Sequence, residues 1–510
     1  MTATPRLLFV VAVALLAACP TTPPPSTVCP TRATDVRFGF DLGLITVVDL
    51  PAGVTAVGLP GAVPAGALFE MDGVSVRANG SGAFEQLLAG ADGLDEVDLS
   101  VGGTYRATFD VVDVDAARAC LLGDTGTTGQ TPNHVRFAEC DDGAFLSATS
   151  SGDAWVDRID VDGAQPLPPV AYAPVGGVGA GPYHLSTSGS NAAVSLFNTH
   201  AVSLVDVCDG VELSTSLADL NPVVDVDPPV DVGTPVDAML DGSLVQVVRE
   251  MKVQHPQGVV LLDDGRILVA FTNLLAPALV PGDVQVLGPS VVVQFVDVDG
   301  VLVPIDHVVL DNVTNVQSLT LAPDGSIVAS ATGPLALTST GLAALAGESR
   351  LVFLDVNTLE PTRTVDLDDF APSTPTVVDG HVAVGSLLTT DIWHGRLTSD
   401  GVDDVRIRRL RDVDSALNSV FELGTIGGFS AVAPVFNDDA VHIVDVRTGT
   451  FVDVPGLFPL DLGGDVSTLR GPLSLDIHVD DANRRTAAVL LTFSNEVRLL
   501  HFDRVFGAQQ

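Results

Sequence analysis

Three histidines, His134, His184 and His255, each stand at the head of an apolar run. Three neutral imidazoles brought together would make a ligand set for a divalent transition metal. No His recurs at the heads of the later runs and no carboxylate is evident to complete the set, so ordinary hydrogen bonding is the simpler role for each ring. Other chemistry is sparse. The sequence has no G-x-S-x-G elbow, no H-E-x-x-H, no phosphate-binding loop and no G-x-G-x-x-G. GGVGAGP at 176–182 approaches the last pattern but places Pro182 at its final Gly position. Asp160-x-Asp162-Gly163 and Asp297-x-Asp299-Gly300 have the look of calcium loops, yet they stand where hairpin turns are expected. The run NPVVDVDPPVDVGTPVD at 221–237 lacks the D-x-D-x-D-G and terminal Glu of an EF-hand and reads as a solvated linker. No catalytic residue is therefore assigned. No cofactor is expected, with a divalent metal at the three histidines as the exception to test.

The elements that would position these residues follow from a repeat. Apolar runs end in Asp at Asp160, Asp206, Asp297, Asp355, Asp400, Asp445 and Asp503, as in SLVDVCDG, QFVDVDG and HIVDVRTG. The spacing is about 45 residues with insertions, the length of a four-stranded propeller blade. Each Asp is expected to cap a tight turn by accepting from backbone N–H groups two residues on. Upstream, PQGVVLLDDGRILVAFTN and VQSLTLAPDGSIVASATG each read as strand, turn, strand. Calling the strands A to D from the channel outward, the Asp phrase is the C-to-D hairpin. After Asp503 too little chain remains for a seventh outer strand, so residues at about 110–130 are expected to supply it, since a ring of sheets must cover its last edge.

These phrases resemble bacterial seven-bladed propellers of the YVTN, NHL and gluconolactonase-like kind over roughly 134–510, which implies the architecture and leaves the activity open. Gluconolactonase-like members hold a metal with Glu, Asn and Asp from several blades. That set has no residue-by-residue match here, so lactonase activity does not carry over. Residues 35–118 lie outside the repeat. Their alternating stretch AVPAGALFEMDGVSVRANGSGAFEQLL resembles bacterial immunoglobulin-like modules, which implies a small β-sandwich. The fold class is thus all-β, a seven-bladed β-propeller preceded by a small β-sandwich.

In an antiparallel meander the B-to-C and D-to-A connections share one face. The long insertions 213–254, 274–290 and 334–349, with a smaller one at 455–470, all fall on that face. A rim over blades two to four is therefore the expected partner site. The apolar stretches LLAPALVPGDVQVLG and PLALTSTGLAALAGES either pack on each other, the simpler reading, or make an exposed patch, and 340–348 has enough helix formers for a short helix.

Arg6 precedes the apolar run LLFVVAVALLAA, too short to span a bilayer but suited to a secretory signal. Leu16-Ala17-Ala18-Cys19 resembles the lipobox of bacterial lipoproteins, which implies cleavage after residue 18 and acylation of Cys19. Residues 19–34, rich in Pro and Thr, read as a tether, and 119–133 as a linker with the ring-closing strand. Pro20 favours the outer membrane under the enteric sorting rule. The remaining Cys29, Cys120, Cys140 and Cys208 are even in number and suit two disulfides in an oxidising compartment. Three pairings are open; the short loop favours Cys120 with Cys140, leaving Cys29 with Cys208. A net charge of -40 disfavours nucleic acid and anionic lipid headgroups.

The expected protein is a lipid-anchored envelope or cell-surface propeller that binds or scaffolds a protein or glycan partner. It reaches the membrane through its lipid, its oligomeric state is open, and it is more an interaction protein than an enzyme. The alternative is a metal-dependent, lactonase-like hydrolase or a redox enzyme working at the channel mouth.

Overall fold

The computed structural model describes residues 29–88, 94–103, 105–141, 143–173, 179–231, 247–339, 341–398, 401–409, 419–463 and 470–509. Cys19, the signal region and the first part of the tether lie outside these residues, as does 232–246 of the longest insertion.

Apolar β-branched runs bounded by Asp-Gly turns become strands that are buried on both faces. Val291–Val298 and Ala440–Asp445 are examples. The turn Asp does what its position demands. Asp355 Oδ1 accepts from Asn357 N and Thr358 N at 2.9 Å, and Asp297 Oδ1 from Gly300 N at 3.0 Å. Asp160, Asp206 and Asp445 cap their turns in the same way. These bonds favour the carboxylate and hold Asp355 below its ordinary pKa.

The strands assemble into seven antiparallel blades around one axis. Their innermost A strands are Pro132–Cys140, Pro182–Ser188, Pro256–Leu261, Val316–Leu321, Pro372–Val378, Gly424–Gly427 and Pro472–Val479. Blades two and three are further joined by a parallel pairing of their outer strands, Thr215 opposite Val301. The seventh blade has three strands of its own, ending at Glu496–His501. Leu122–Thr127 completes it, with Gly126 opposite Val497 and Thr127 opposite Glu496. Asp503 consequently leads into a 3-10 turn, Phe502–Arg504, instead of a hairpin.

Residues 36–113 form the β-sandwich. Its seven strands form one continuous sheet through the long strand Tyr105–Asp113, which pairs antiparallel with Glu96–Val101 and in parallel with Ile45–Leu50. Asp113 then caps the helix Val114–Leu121, accepting from Asp115 N and Ala116 N at 3.0 Å. Sandwich and propeller share one hydrophobic core, in which Leu42, Ile45 and Leu59 pack in the same cluster as Val432, Ile443 and Phe458. Gly61 and Gly428 meet backbone to backbone; a Cβ on Gly61 would lie 2.6 Å from Gly428 Cα, and Gly61 has φ +88°. The buried pair Arg485–Asp41, at 2.7 Å, spans the same junction. The C-terminal residues act as a wedge: Val505 O accepts from Thr46 Oγ1, Gly507 N donates to Ile45 O, and Gln509 N donates to Thr108 O.

Two expectations are corrected. The disulfides are Cys29–Cys120, with Cα atoms 5.4 Å apart, and Cys140–Cys208, at 5.8 Å. Loop length misleads because tertiary neighbours decide the pairing. Cys120 faces the sandwich from its helix, whereas Cys140 ends strand A of blade one beside the C-to-D turn of blade two. Second, 340–348 forms no helix; Gly341–Ala344 is a strand paired with Leu335–Thr338. Part of the stretch assigned to the tether is also folded: Arg32 is buried and donates to Asp110 at 2.7 Å, and Ala33 bridges Ala508. The disulfides fit an extracytoplasmic protein. Among the described residues no helix is long and apolar enough to cross a membrane.

Candidate functional site

Strand register sets one level of the channel wall. Val135, Leu185, Val259, Leu319, Pro375 and Leu475 lie opposite equivalent B-strand residues, and Leu423 falls one step before Gly424, which faces Val432. The residues just before them form a ring: His134, His184, Gly258, Ser318, Thr374, Glu422 and Ser474. Gly258 is required there because a Cβ would sit 2.6 Å from Leu319 N, on the backbone of the next blade. His134 and His184 come from adjacent blades, and their rings pack at a 33° tilt with centroids 3.7 Å apart.

The charges of the ring are locked by bonding. Glu422 is 4% exposed. Its Oε1 accepts from Arg136 Nη2, and its Oε2 accepts from Ser474 Oγ at 2.7 Å and Leu475 N at 3.1 Å. Arg136 Nη1 also donates to Val135 O at 2.7 Å and Leu475 O at 3.1 Å. Burial opposes the Arg136 charge, but Glu422 and Asp476 outweigh it and raise its pKa. Asp476 accepts from Phe137 N at 2.8 Å, and burial raises its carboxyl despite Arg136. One carboxylate therefore stitches blade six to blades seven and one.

The histidines are held neutral. Burial, then the nearby Arg136, pushes His184 down to about 3; burial, Arg136 and His184 push His134 well below its ordinary value. His134 Nδ1 accepts from Leu185 N at 3.4 Å, which leaves the ring proton on Nε2, 3.7 Å from Glu422 Oε1. Neither ring nitrogen of His184 has a partner within the protein.

His255 does not join this ring. It sits on the turn before strand A of blade three with φ +60°, and its ring packs against His200, at 4.5 Å between centroids, and Phe197, at 4.8 Å. Burial, then His200, lowers its pKa to about 4. Two of the three histidines are thus brought together and the third is not. The residues present fit a metal poorly. One nitrogen of His134 is already an acceptor, both oxygens of Glu422 are occupied, and Arg136 stands beside them. Among the described residues no three His, Cys, Asp or Glu side chains are grouped to hold an ion.

His184, Thr374 and Glu422 form a septum. On the side of the A-to-B turns lies a cavity of about 460 Å³; on the other side is a chamber of about 80 Å³ lined by His134, Tyr183 and Ser373. The rim is a separate feature. Leu274–Ala276 pairs with Val286–Leu287, and this hairpin is zipped to the Leu335–Thr338 hairpin of blade four. Gln285 N donates to Leu335 O at 2.9 Å, Leu337 N to Asp283 O at 2.8 Å, and Gly282 N to Leu337 O at 2.7 Å. Leu279, Val280, Val284 and Leu342 remain exposed on it. Sequence reading missed Glu422 and Arg136. The available signal was a charged residue inside an otherwise apolar inner strand, VFELG and HVRFAE.

No family model matches the sequence, and no curated protein matches it. Among solved structures, the Cps50 (Swd1) β-propeller domain of Myceliophteria thermophila is 13% identical with a TM-score of 0.47, covering 74% of this chain and 98% of that one. Hydrazine synthase of Kuenenia stuttgartiensis is 14% identical with a TM-score of 0.45, covering 74% and 97%. Virginiamycin B lyase of Staphylococcus aureus is 11% identical with a TM-score of 0.45, covering 74% and 98%. The β-propeller architecture of this chain rests on its own sheet topology.

Proposed function

We propose that this protein is a lipid-anchored envelope or cell-surface propeller that works by binding, presenting the rim over blades three and four to a protein or glycan partner. The observation that carries the reading is the zipped pair of hairpins. Loops ordered in advance lose little freedom on binding, and these hold four large apolar side chains toward solvent. Glu422 and Arg136 support the same reading, because their hydrogen bonds serve ring integrity and leave little free for acid–base work. Anchoring rests on the Leu16-Ala17-Ala18-Cys19 sequence. The test is site-specific photo-crosslinking in native membranes from position 280 on the rim and position 479 on the opposite face, repeated with Leu279→Asp plus Leu342→Asp. A discrete adduct from 280 alone, lost in the double variant, is expected. Adducts only from 479 would overturn the choice of face. Cys19→Ala should release the protein from the membrane fraction.

A further inference from the structure

The cavity of about 460 Å³ on the A-to-B side of the septum has the volume of a small-molecule site, far more than isolated waters need. Its walls are unequal. Toward blades three and four they are aliphatic, with Val260, Leu261 and Leu321; toward blades seven, one and two they carry Asp476, Arg136, Ser186 and Thr187. At the inner end His184, 6% exposed, presents two ring nitrogens without a protein partner, and Thr320 Oγ1 across the channel also lacks one. Buried polar atoms are ordinarily satisfied, so these mark places for a guest's polar atoms.

Charge decides the class of guest. The lining holds one cation, Arg136, and three carboxylates, Glu422, Asp476 and Asp263. Arg136 is bonded to Glu422, while Asp476 accepts from the backbone N–H groups of Phe137, through Oδ2, and Ile477. An anion would meet this excess of negative charge, and the net charge of -40 enriches cations around the whole molecule. The geometry points to a binding site for a small organic ammonium ion. Its N–H groups would donate to Asp476 Oδ1 and to neighbouring hydroxyl and imidazole acceptors, and its short aliphatic body would lie on Val260, Leu261 and Leu321. This site faces away from the rim and stands or falls independently of it.

The test is isothermal titration and thermal shift of the purified chain with n-butylammonium and 1,4-diaminobutane, at constant ionic strength set with sodium. n-Butanol, butyrate and myo-inositol serve as comparison solutes. Saturable binding of the amines is expected, weakened at least tenfold in Asp476→Asn and unchanged in Asp162→Asn, an exposed turn carboxylate. Thr376→Phe, which fills the cavity from strand A of blade five, should abolish binding in a chain whose circular dichroism is unaltered. Shifts common to all cations, binding that survives in Asp476→Asn, or binding of myo-inositol in place of the amines would each overturn the proposal.

Discussion

Replacing Glu422 with Gln tests whether the ring is held by charge. The side chain is 6% exposed, and that of its partner Arg136 is 17% exposed. The amide oxygen of Gln can still accept from Ser474 and Leu475, so the change isolates the pairing with Arg136. Removing one partner of a buried pair costs about 3–5 kcal/mol, because the other charge stays behind. Asp476 remains near the guanidinium, which places the expected loss at the lower end, about 3 kcal/mol. With a urea m value of about 3 kcal/mol/M, the midpoint should fall by about 1 M. Adding Arg136→Met removes the stranded cation; Asp476, already raised by burial, can then take up a proton. The double variant should therefore be more stable than Glu422→Gln by about 2 kcal/mol, a non-additive result. The readout is urea unfolding followed by fluorescence of Trp393, which is buried in blade five, and of Trp155 in blade one. A loss below about 1 kcal/mol for the single change, or additive losses in the double, would refute the argument.

The neutrality of His184 sets a pH dependence. In the unfolded chain this His gains a proton below about pH 6.5, whereas burial holds the folded group down to about 3. Its stability contribution is complete above the unfolded pKa and is lost as pH falls toward the folded one, by up to about 1.4 kcal/mol per pH unit. His184→Gln should flatten the decline between pH 6 and pH 4, and parallel curves for the two proteins would rule this out. Cys29–Cys120 joins residues 91 apart. Chain entropy assigns such a crosslink about 4–5 kcal/mol, so Cys120→Ser should be strongly destabilised; a non-reduced peptide map joining Cys120 to Cys140 would contradict the pairing.

Local chemistry was readable wherever a residue does its work within a few positions of itself. In five blades the Asp that ends the C strand bonds its own turn, so the blade count and the 110–130 closing stretch could be read from spacing, although Asp400 lies outside the described residues. The rim could be placed because loop parity in a meander fixes which face an insertion occupies. What escaped depends on neighbours distant in sequence. Gly341–Ala344 contains good helix formers, yet Leu335–Thr338 is already bonded to 282–285 of the preceding blade, and that pairing overrides propensity. Glu422 escaped notice because its cation lies 286 residues away. His134 and His184 are the third residues of strands that open with Pro132 and Pro182, whereas His255 precedes Pro256, and its left-handed backbone turns it toward His200.

The route by which the chain's beginning meets the ring has a mechanical corollary. Tension applied at the N-terminal side of Cys29 crosses the disulfide to Cys120 and arrives one residue from Leu122–Thr127, the strand that clasps the ring. The sandwich hangs within the covalent loop 29–120 and is bypassed by that load. Stretching the molecule from its N-terminal side would thus leave the sandwich slack and strain the clasp, while severing Cys29 from Cys120 would transfer the load to residues 30–34 and their bonds to the C-terminal wedge.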